Sequence, residues 1–224
     1  MSELFDCGDR EQRASGIAAA IQAVRQGELI VMPTDTVYGI GADAFNAQAV
    51  AGLLKAKGRG RDMPVPVLVG ARQTVQGLVN HVSPAAQDLM SAFWPGGLTL
   101  VVAQAPSLRW DLGDTDGTVA VRMPLHAVAL EVLAATGPMA VSSANISGQP
   151  AASSAEQARS QLGDSVDIYL ESGPIGDPVA STIVDVTSTP RVLRQGAITL
   201  EKLRDVVPDI IGPNSPGAEQ KEAA

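Results

Sequence analysis

At 224 residues, with 45% hydrophobic and 18% charged residues, the chain is long enough to bury a full core and too apolar to stay disordered. Its formal charge of -8 disfavours broad nucleic-acid binding driven by phosphate neutralisation and leaves room only for a local basic site. The single cysteine, Cys7, excludes an intrachain disulfide and a cysteine zinc cluster, neither His81 nor His126 has metal-ligand spacing, and no apolar run reaches the roughly 18 residues of a membrane span. Met-Ser-Glu-Leu-Phe-Asp at the N-terminus has no basic region followed by an apolar core, so a cytoplasmic protein without a membrane anchor is expected.

In chain order, Arg13 to Gln26 places Ile17, Ala20, Ile21 and Val24 on one helical face, with Gly27 as a stop. Leu29 to Met32 reads as a short buried strand ending at Pro33. Asn46 is an N-cap for a helix with Val50, Leu53 and Leu54 as its apolar stripe and Gly58 as its C-terminal stop. Pro64 to Val69 reads as a strand whose prolines suggest a sheet edge or a strand entrance. Ser83-Pro84 opens a helix to Phe93, closed by Pro95-Gly96-Gly97. Strands are predicted at Leu98–Ala103 and Val119–Met123, around a turn-rich loop from Asp111 to Gly117.

A helix from His126 to Ala135 and a strand at Met139–Val141 follow. Ser153 with Glu156 three residues on is a capping-box signature for a helix to Leu162. Val166–Leu170, Thr182–Val186 and Arg191–Leu193 read as strands, and Thr199 caps a last helix to about Val207. Strands alternating with helices predict an α/β sheet with helices packed against it. One domain over 1–207 is expected, followed by a flexible C-terminal tail over 208–224, where Pro, Gly and charged residues take over.

The most concentrated charge is Lys55-Ala-Lys57-Gly-Arg59-Gly-Arg61. If extended, a period of two puts all four cations on one side, and the glycines permit close approach by a polyanion. The competing reading is that the lysines only complement the helix C-terminus and the arginines are solvated. Four further stretches carry polar chemistry after strands, where α/β sheets bind ligands. They are Pro33 to Gly39, with the Thr34 and Thr36 hydroxyls and Asp35 as a general base or a turn residue; Ser142 to Gly148; Arg122, which needs an anionic partner from protein or ligand; and Ser181-Thr182 with Arg194-Gln-Gly196. There is no Walker A loop, Gly-x-Gly-x-x-Gly, His-Glu-x-x-His or Gly-x-Ser-x-Gly, so a bound polyphosphate has to be held by side-chain cations and hydroxyls.

Taken together, Pro33-Thr-Asp-Thr-Val-Tyr-Gly-Ile-Gly-Ala42, Lys57-Gly-Arg59 with Pro64, Phe93-Trp-Pro-Gly-Gly-Leu-Thr-Leu100, Val121-Arg122-Met-Pro124, Ser143-Ala-Asn145-Ile-Ser-Gly148, Ser181-Thr182 and Leu193-Arg194-Gln-Gly196 resemble the YrdC/TsaC family of threonylcarbamoyl-AMP synthases. The resemblance implies a YrdC-like twisted open mixed sheet with flanking helices and a concave positively charged cleft. It implies an enzyme joining L-threonine, bicarbonate and ATP, with magnesium on the triphosphate, into threonylcarbamoyl-AMP and pyrophosphate for downstream tRNA threonylcarbamoyl-transfer machinery. Carried over, Lys57, Arg59, Ser143 and Asn145 form the catalytic set. Lys57, Arg59, Asn145, Ser153 and Arg194 hold ATP, while Thr36, Arg122, Ser143 and Ser181 line the threonine site.

Gly60, Met63, Leu68 and Ala151 depart from the residues common in relatives, and the Leu68 change removes one expected substrate contact. The length is that of the short, single-domain form. Two other readings stay open: a module binding double-stranded RNA, disfavoured by net acidity and only 3% aromatic residues for stacking, and a related carbamoyl-adenylate enzyme acting on another substrate.

Overall fold

A computed structural model of the protein describes residues 2–213. Ten strands form one mixed sheet in the order β1-β8-β2-β3-β7-β4-β6-β5-β9-β10: β1 Glu3–Asp6, β2 Ile30–Met32, β3 Gly39–Asp43, β4 Val67–Leu68, β5 Leu98–Ala103, β6 Thr118–Arg122, β7 Met139–Ser143, β8 Ile168–Glu171, β9 Thr182–Asp185 and β10 Arg191–Arg194. The helices are α1 Arg10–Gln26, α2 Ala47–Lys57, α3 Pro84–Phe93, α4 Ala127–Thr136, α5 Ala155–Leu162 and α6 Leu200–Arg204.

Alternation along β2 separates the two faces. Ile30 and Met32 pack with Ile17, Ala20 and Val24 of α1 and Val128, Val132 and Leu133 of α4, whereas Val31 joins the larger core that holds Leu53 of α2, Leu89 of α3 and Ala158 of α5.

Local chemistry sets the helix ends. Asn46 accepts from Gln48 N and Ala49 N, and Gly58 leaves α2 in the left-handed region at φ 62°, so α2 stops at Lys57. Ser83 caps α3 with Pro84 in its first turn, and Thr199 caps α6. The cap of α5 is Ser154, which accepts from Gln157 N; Ser153 sits outside it, with the Gln157 carboxamide bonded to its N–H and hydroxyl. The capping box is therefore displaced by one residue, with Gln157 in the place assigned to Glu156.

Three further expectations change. The Pro64–Val69 strand is the two-residue β4, which is interior, paired with β6 on one side and β7 on the other; its prolines stand at the entrance and not at an edge. Strands β1 and β3 were not legible from alternation. In β3, a Cβ on Gly39 would lie 2.7 Å from Val141 Cγ1 and one on Gly41 2.9 Å from Met139 Cε, so glycines are what allow β7 to pack there. The tail does not begin at Pro208. Ile210 is buried and Ile211 exchanges backbone bonds with Pro190 and Val192, so the packed chain continues past 207; residues 214–224 of the expected tail lie outside the described residues.

The β8–β9 connection, residues 172–181, joins the second strand from one edge to the second from the other, seven strand steps away. In a flat sheet those steps span roughly 34 Å, close to the ~38 Å limit of a fully extended connection. The connection nonetheless makes a turn, with Val179 N bonded to Asp177 O, and Gly173 takes φ 86°. The sheet must therefore curl, and residues 172–181 cross its concave side.

Candidate active site

The cationic stretch does not act as one strip. Lys55 and Lys57 belong to the last turn of α2, where Lys55 is exposed and Lys57 is 2% exposed. Arg61 turns outward to a bidentate pair with Asp111, at 2.8 and 2.9 Å. Lys57 and Arg59 alone point inward, because the left-handed turn at Gly58 breaks both helical and extended periodicity.

Among the described residues Lys57 meets no carboxylate. Its Nζ donates to the carbonyl oxygens of Ser143, at 2.5 Å, and Asn145, at 2.8 Å, and lies 3.4 Å from Asn145 Oδ1. Burial, then the neighbouring Arg59 charge, push its pKa down to about 8. Arg59 reaches Ser142 Oγ at 3.2 Å and Pro64 O at 3.3 Å, while its Nε is buried without a partner among the described residues. Burial and the charge of Arg194 lower the Arg59 pKa against an opposing pull from Asp62.

The structure thus brings the Lys-x-Arg and Ser-x-Asn stretches together. Asn145 faces inward: its amide donates to the carbonyls of Ile146 and Gln149, both at 2.8 Å, and so shapes the loop that receives Lys57.

A second cluster gathers around Arg122, the last residue of β6. Its guanidinium donates to Gly96 O at 2.9 Å, Thr36 Oγ1 at 2.7 Å and Asp35 Oδ1 at 2.6 Å. The anion that a buried arginine requires is therefore Asp35, which also accepts from Leu125 N, and the general-base reading of Asp35 gives way to that of a counter-ion. Thr34 Oγ1 donates to Val37 O at 2.6 Å, so in its 3.1 Å contact with Thr36 it must accept. The resulting chain runs Arg122, Thr36, Thr34, Val37 and fixes both hydroxyls. Burial lowers the Arg122 pKa, opposed by Asp35 and assisted by Arg194.

Ser181 completes this side. Its hydroxyl lies 2.8 Å from Thr99 Oγ1, and its carbonyl accepts from Arg194 NH2 at 2.9 Å. Arg194 links the clusters electrostatically, since its charge bears on Arg59 and Arg122 alike. Ser153 stands apart from these contacts, bonded to Gln157, with Ser153 O accepting from Ile175 N of the 172–181 crossing.

Leu68, 4% exposed, packs among the α4-side apolar residues. Thr99 is a site partner that single-motif reading passed over; its signal was a lone hydroxyl inside the apolar strand Leu98–Ala103.

A Cβ on Gly196 would sit 2.1 Å from Ala180 O, which is how closely the turn after Arg194 approaches Ser181. Gly196→Ala is expected to destabilise the protein by about 1–3 kcal/mol, as overpacking against an unyielding backbone does, and thermal unfolding will read it as a lowered Tm.

Residues 22–196 match the family model that covers the Sua5, YciO and YrdC proteins and is described as Telomere recombination. The chain belongs to this family. A Sua5/YciO/YrdC relative from Mycobacterium tuberculosis, provisionally named threonylcarbamoyl-AMP synthase, is 62% identical over 92% of this chain and 96% of its own. Pyrococcus abyssi Sua5, solved in complex with L-threonine, matches 95% of this chain with a TM-score of 0.87 and 32% identity, and this chain spans 62% of it. Escherichia coli YciO matches 91% of this chain and 100% of its own, with a TM-score of 0.81 and 25% identity. The open mixed sheet with flanking helices is thus the architecture of its Sua5 and YciO relatives.

Proposed function

We propose that this chain is an L-threonylcarbamoyladenylate synthase, a nucleotidyltransferase that makes threonylcarbamoyl-AMP and pyrophosphate from L-threonine, bicarbonate and ATP for tRNA modification. The observation that carries the reading is Lys57, an ammonium buried against carbonyl oxygens with no carboxylate among the described residues to neutralise it. A cation kept in that state is costly unless an anion arrives. Arg59 beside it has an unpartnered Nε, and no Walker-type loop competes for the role of phosphate holder.

In this reading Lys57, Arg59 and Arg194 border a positive cleft on the concave side and hold the triphosphate, with Asn145 acting through Lys57 and Ser153 at the nucleotide side. Arg122, Thr36, Ser143 and Ser181 hold threonine. Arg122 uses three of a guanidinium's five N–H groups internally and has two left for a carboxylate.

The threonine amine attacks bicarbonate with loss of water to give a carbamate. A carbamate oxygen then attacks the α-phosphorus in line while the α–β bridging oxygen leaves with pyrophosphate. Charge grows on phosphoryl and leaving oxygens, and preorganised cations stabilise it. In this reading magnesium arrives on the triphosphate; among the described residues no group of three His, Cys, Asp or Glu side chains could cage a metal, and no step here is routed through one. Among the described residues no helix is long and apolar enough to cross a membrane, and a cytoplasmic setting beside the tRNA-modifying machinery fits the reaction.

Pyrophosphate release, measured with each substrate omitted in turn, tests the proposal: release is expected only with threonine, bicarbonate and ATP together. Release that does not need threonine points to a carbamoyl-adenylate enzyme with another substrate. Tight binding of double-stranded RNA without nucleotide turnover points to the RNA module.

A further inference from the structure

Tyr38 is fully buried, yet it is the residue on which the separate walls of the site converge. Its carbonyl accepts from Ala144 N, inside the Ser-x-Asn loop, at 2.8 Å, and its N–H donates to Ala152 O, beside Ser153, at 3.3 Å. Its hydroxyl lies 2.7 Å from both Glu171 Oε1 and Gly173 O and accepts from Ser172 N at 3.0 Å. Glu171 in turn accepts from Gly173 N at 2.7 Å and, through Oε2, from Ala155 N in the first turn of α5 at 2.8 Å. The phenol and the carboxylate therefore tie the start of α5 to the beginning of the 172–181 crossing, while the backbone of Tyr38 holds the loop that receives Lys57 and the residue before Ser153.

That crossing has few other holds. Ile175 packs on the larger core and its N–H bonds to Ser153 O midway, and at the far end Ala180 O accepts from Ala197 N while Ser181 is held by Thr99 and Arg194. Glycine and proline at 173, 174, 176 and 178 provide little side-chain packing to fix its path. The near end is thus set almost entirely by the bonds to Tyr38 and Glu171, while the far end delivers a threonine-side contact.

We infer that the Tyr38 hydroxyl and the Glu171 carboxylate form a latch that sets the 172–181 crossing over the concave side, making both positioning residues that act through Ser181. The inference rests on the proposed reaction for its kinetic consequence, though the latch itself is a property of the fold. The phenol's single proton can be given to the carboxylate or to the Gly173 carbonyl. Tyr38→Phe removes that proton and one of the two acceptors of Ser172 N, which also donates to Glu171 Oε1 at 3.0 Å, while keeping the ring.

A hydrogen bond to a charged group is strong enough that losing it should raise the KM for threonine about 10-fold with kcat little changed. Amide exchange across 172–176, followed by mass spectrometry on the full chain, should quicken by a similar factor. Glu171→Gln, which keeps the shape and loses the charge, should move both readouts the same way and serves where Tyr38→Phe does not fold. An unchanged KM with faster exchange overturns the positioning role, and unchanged exchange overturns the latch. Wild-type protein without threonine-dependent pyrophosphate release sinks the proposed reaction instead, and exchange then judges the latch alone.

Discussion

Lys57→Met is expected to lower pyrophosphate release by about 10²–10³, the effect of deleting one preorganised donor at a charge-developing site, while Tm moves by only a few degrees. The two halves of this outcome have one cause. At 2% exposure and without a counter-ion among the described residues, the ammonium is held by carbonyl dipoles, and burial brings its pKa from 10.5 down to about 8. A lysine whose folded pKa lies below its unfolded value takes up fewer protons folded than unfolded between those two pH values, so stability rises with pH across that window. Below it, at neutral pH, the charged lysine costs the unliganded protein about 3 kcal/mol.

Methionine removes that cost and leaves two carbonyl oxygens unpaired, which offsets much of the gain. Stability measured between pH 7 and 10 should therefore climb in the wild type by more than in Lys57→Met. A triphosphate pulls the pKa back up. ATP binding at pH 8, where the free lysine is half protonated, should take up about half a proton, read by calorimetry in buffers of different ionisation enthalpy. Binding with no Lys57-dependent proton uptake would show that the phosphates sit elsewhere.

Helix termini were legible because their causes are local. Asn46, Gly58, Ser83 and Thr199 each act within three residues, and each boundary fell where the cap chemistry put it. There are two exceptions: Ser153 against Ser154, adjacent residues of equal capping ability between which Gln157 decides, and α1, expected from Arg13 but begun at Arg10 by the Asp9 cap, because its apolar stripe starts only at Ile17. Strand β3 was hidden because Gly39 and Gly41 erase the alternation that marks a strand, and the reason for those glycines lies in β7, about a hundred residues on.

The same distinction governs the site. Lys57 and Arg59 could be picked out from their clustering, but Lys55 and Arg61 shared that pattern and face away, since the turn at Gly58 and the partner Asp111 decide direction. Their places in the cationic set go to Arg122 and Arg194, which only the sheet order brings near. That Asp35 serves Arg122, and that Tyr38 joins four segments, are facts of tertiary pairing with no local trace.

Arg122→Lys should be nearly as damaging to threonine turnover as Arg122→Ala, though the positive charge survives. Three donors leave Arg122 in fixed directions, toward Gly96 O, Thr36 Oγ1 and Asp35 Oδ1, and its residual exposure is 6%. An ammonium cannot satisfy that fork and still present a pair of parallel N–H groups to a carboxylate. The expected result for lysine is a fall in kcat/KM for threonine of about 10²-fold, the loss of roughly two charge-assisted bonds, with the KM for ATP little moved. Alanine adds a folding penalty, because Asp35 is left without its cation in a mostly buried place. That should cost about 3–5 kcal/mol of stability and show as a markedly lower Tm. Asp35→Asn separates charge from geometry: the amide oxygen can still accept from Arg122, so the protein should fold. If Arg122 is the carboxylate partner, removing the competing anion should hold or tighten threonine affinity. Equal losses of ATP and threonine affinity in Arg122→Lys, or a Tm drop without a threonine defect, would make Arg122 a brace of the β6 end and remove it from the substrate site.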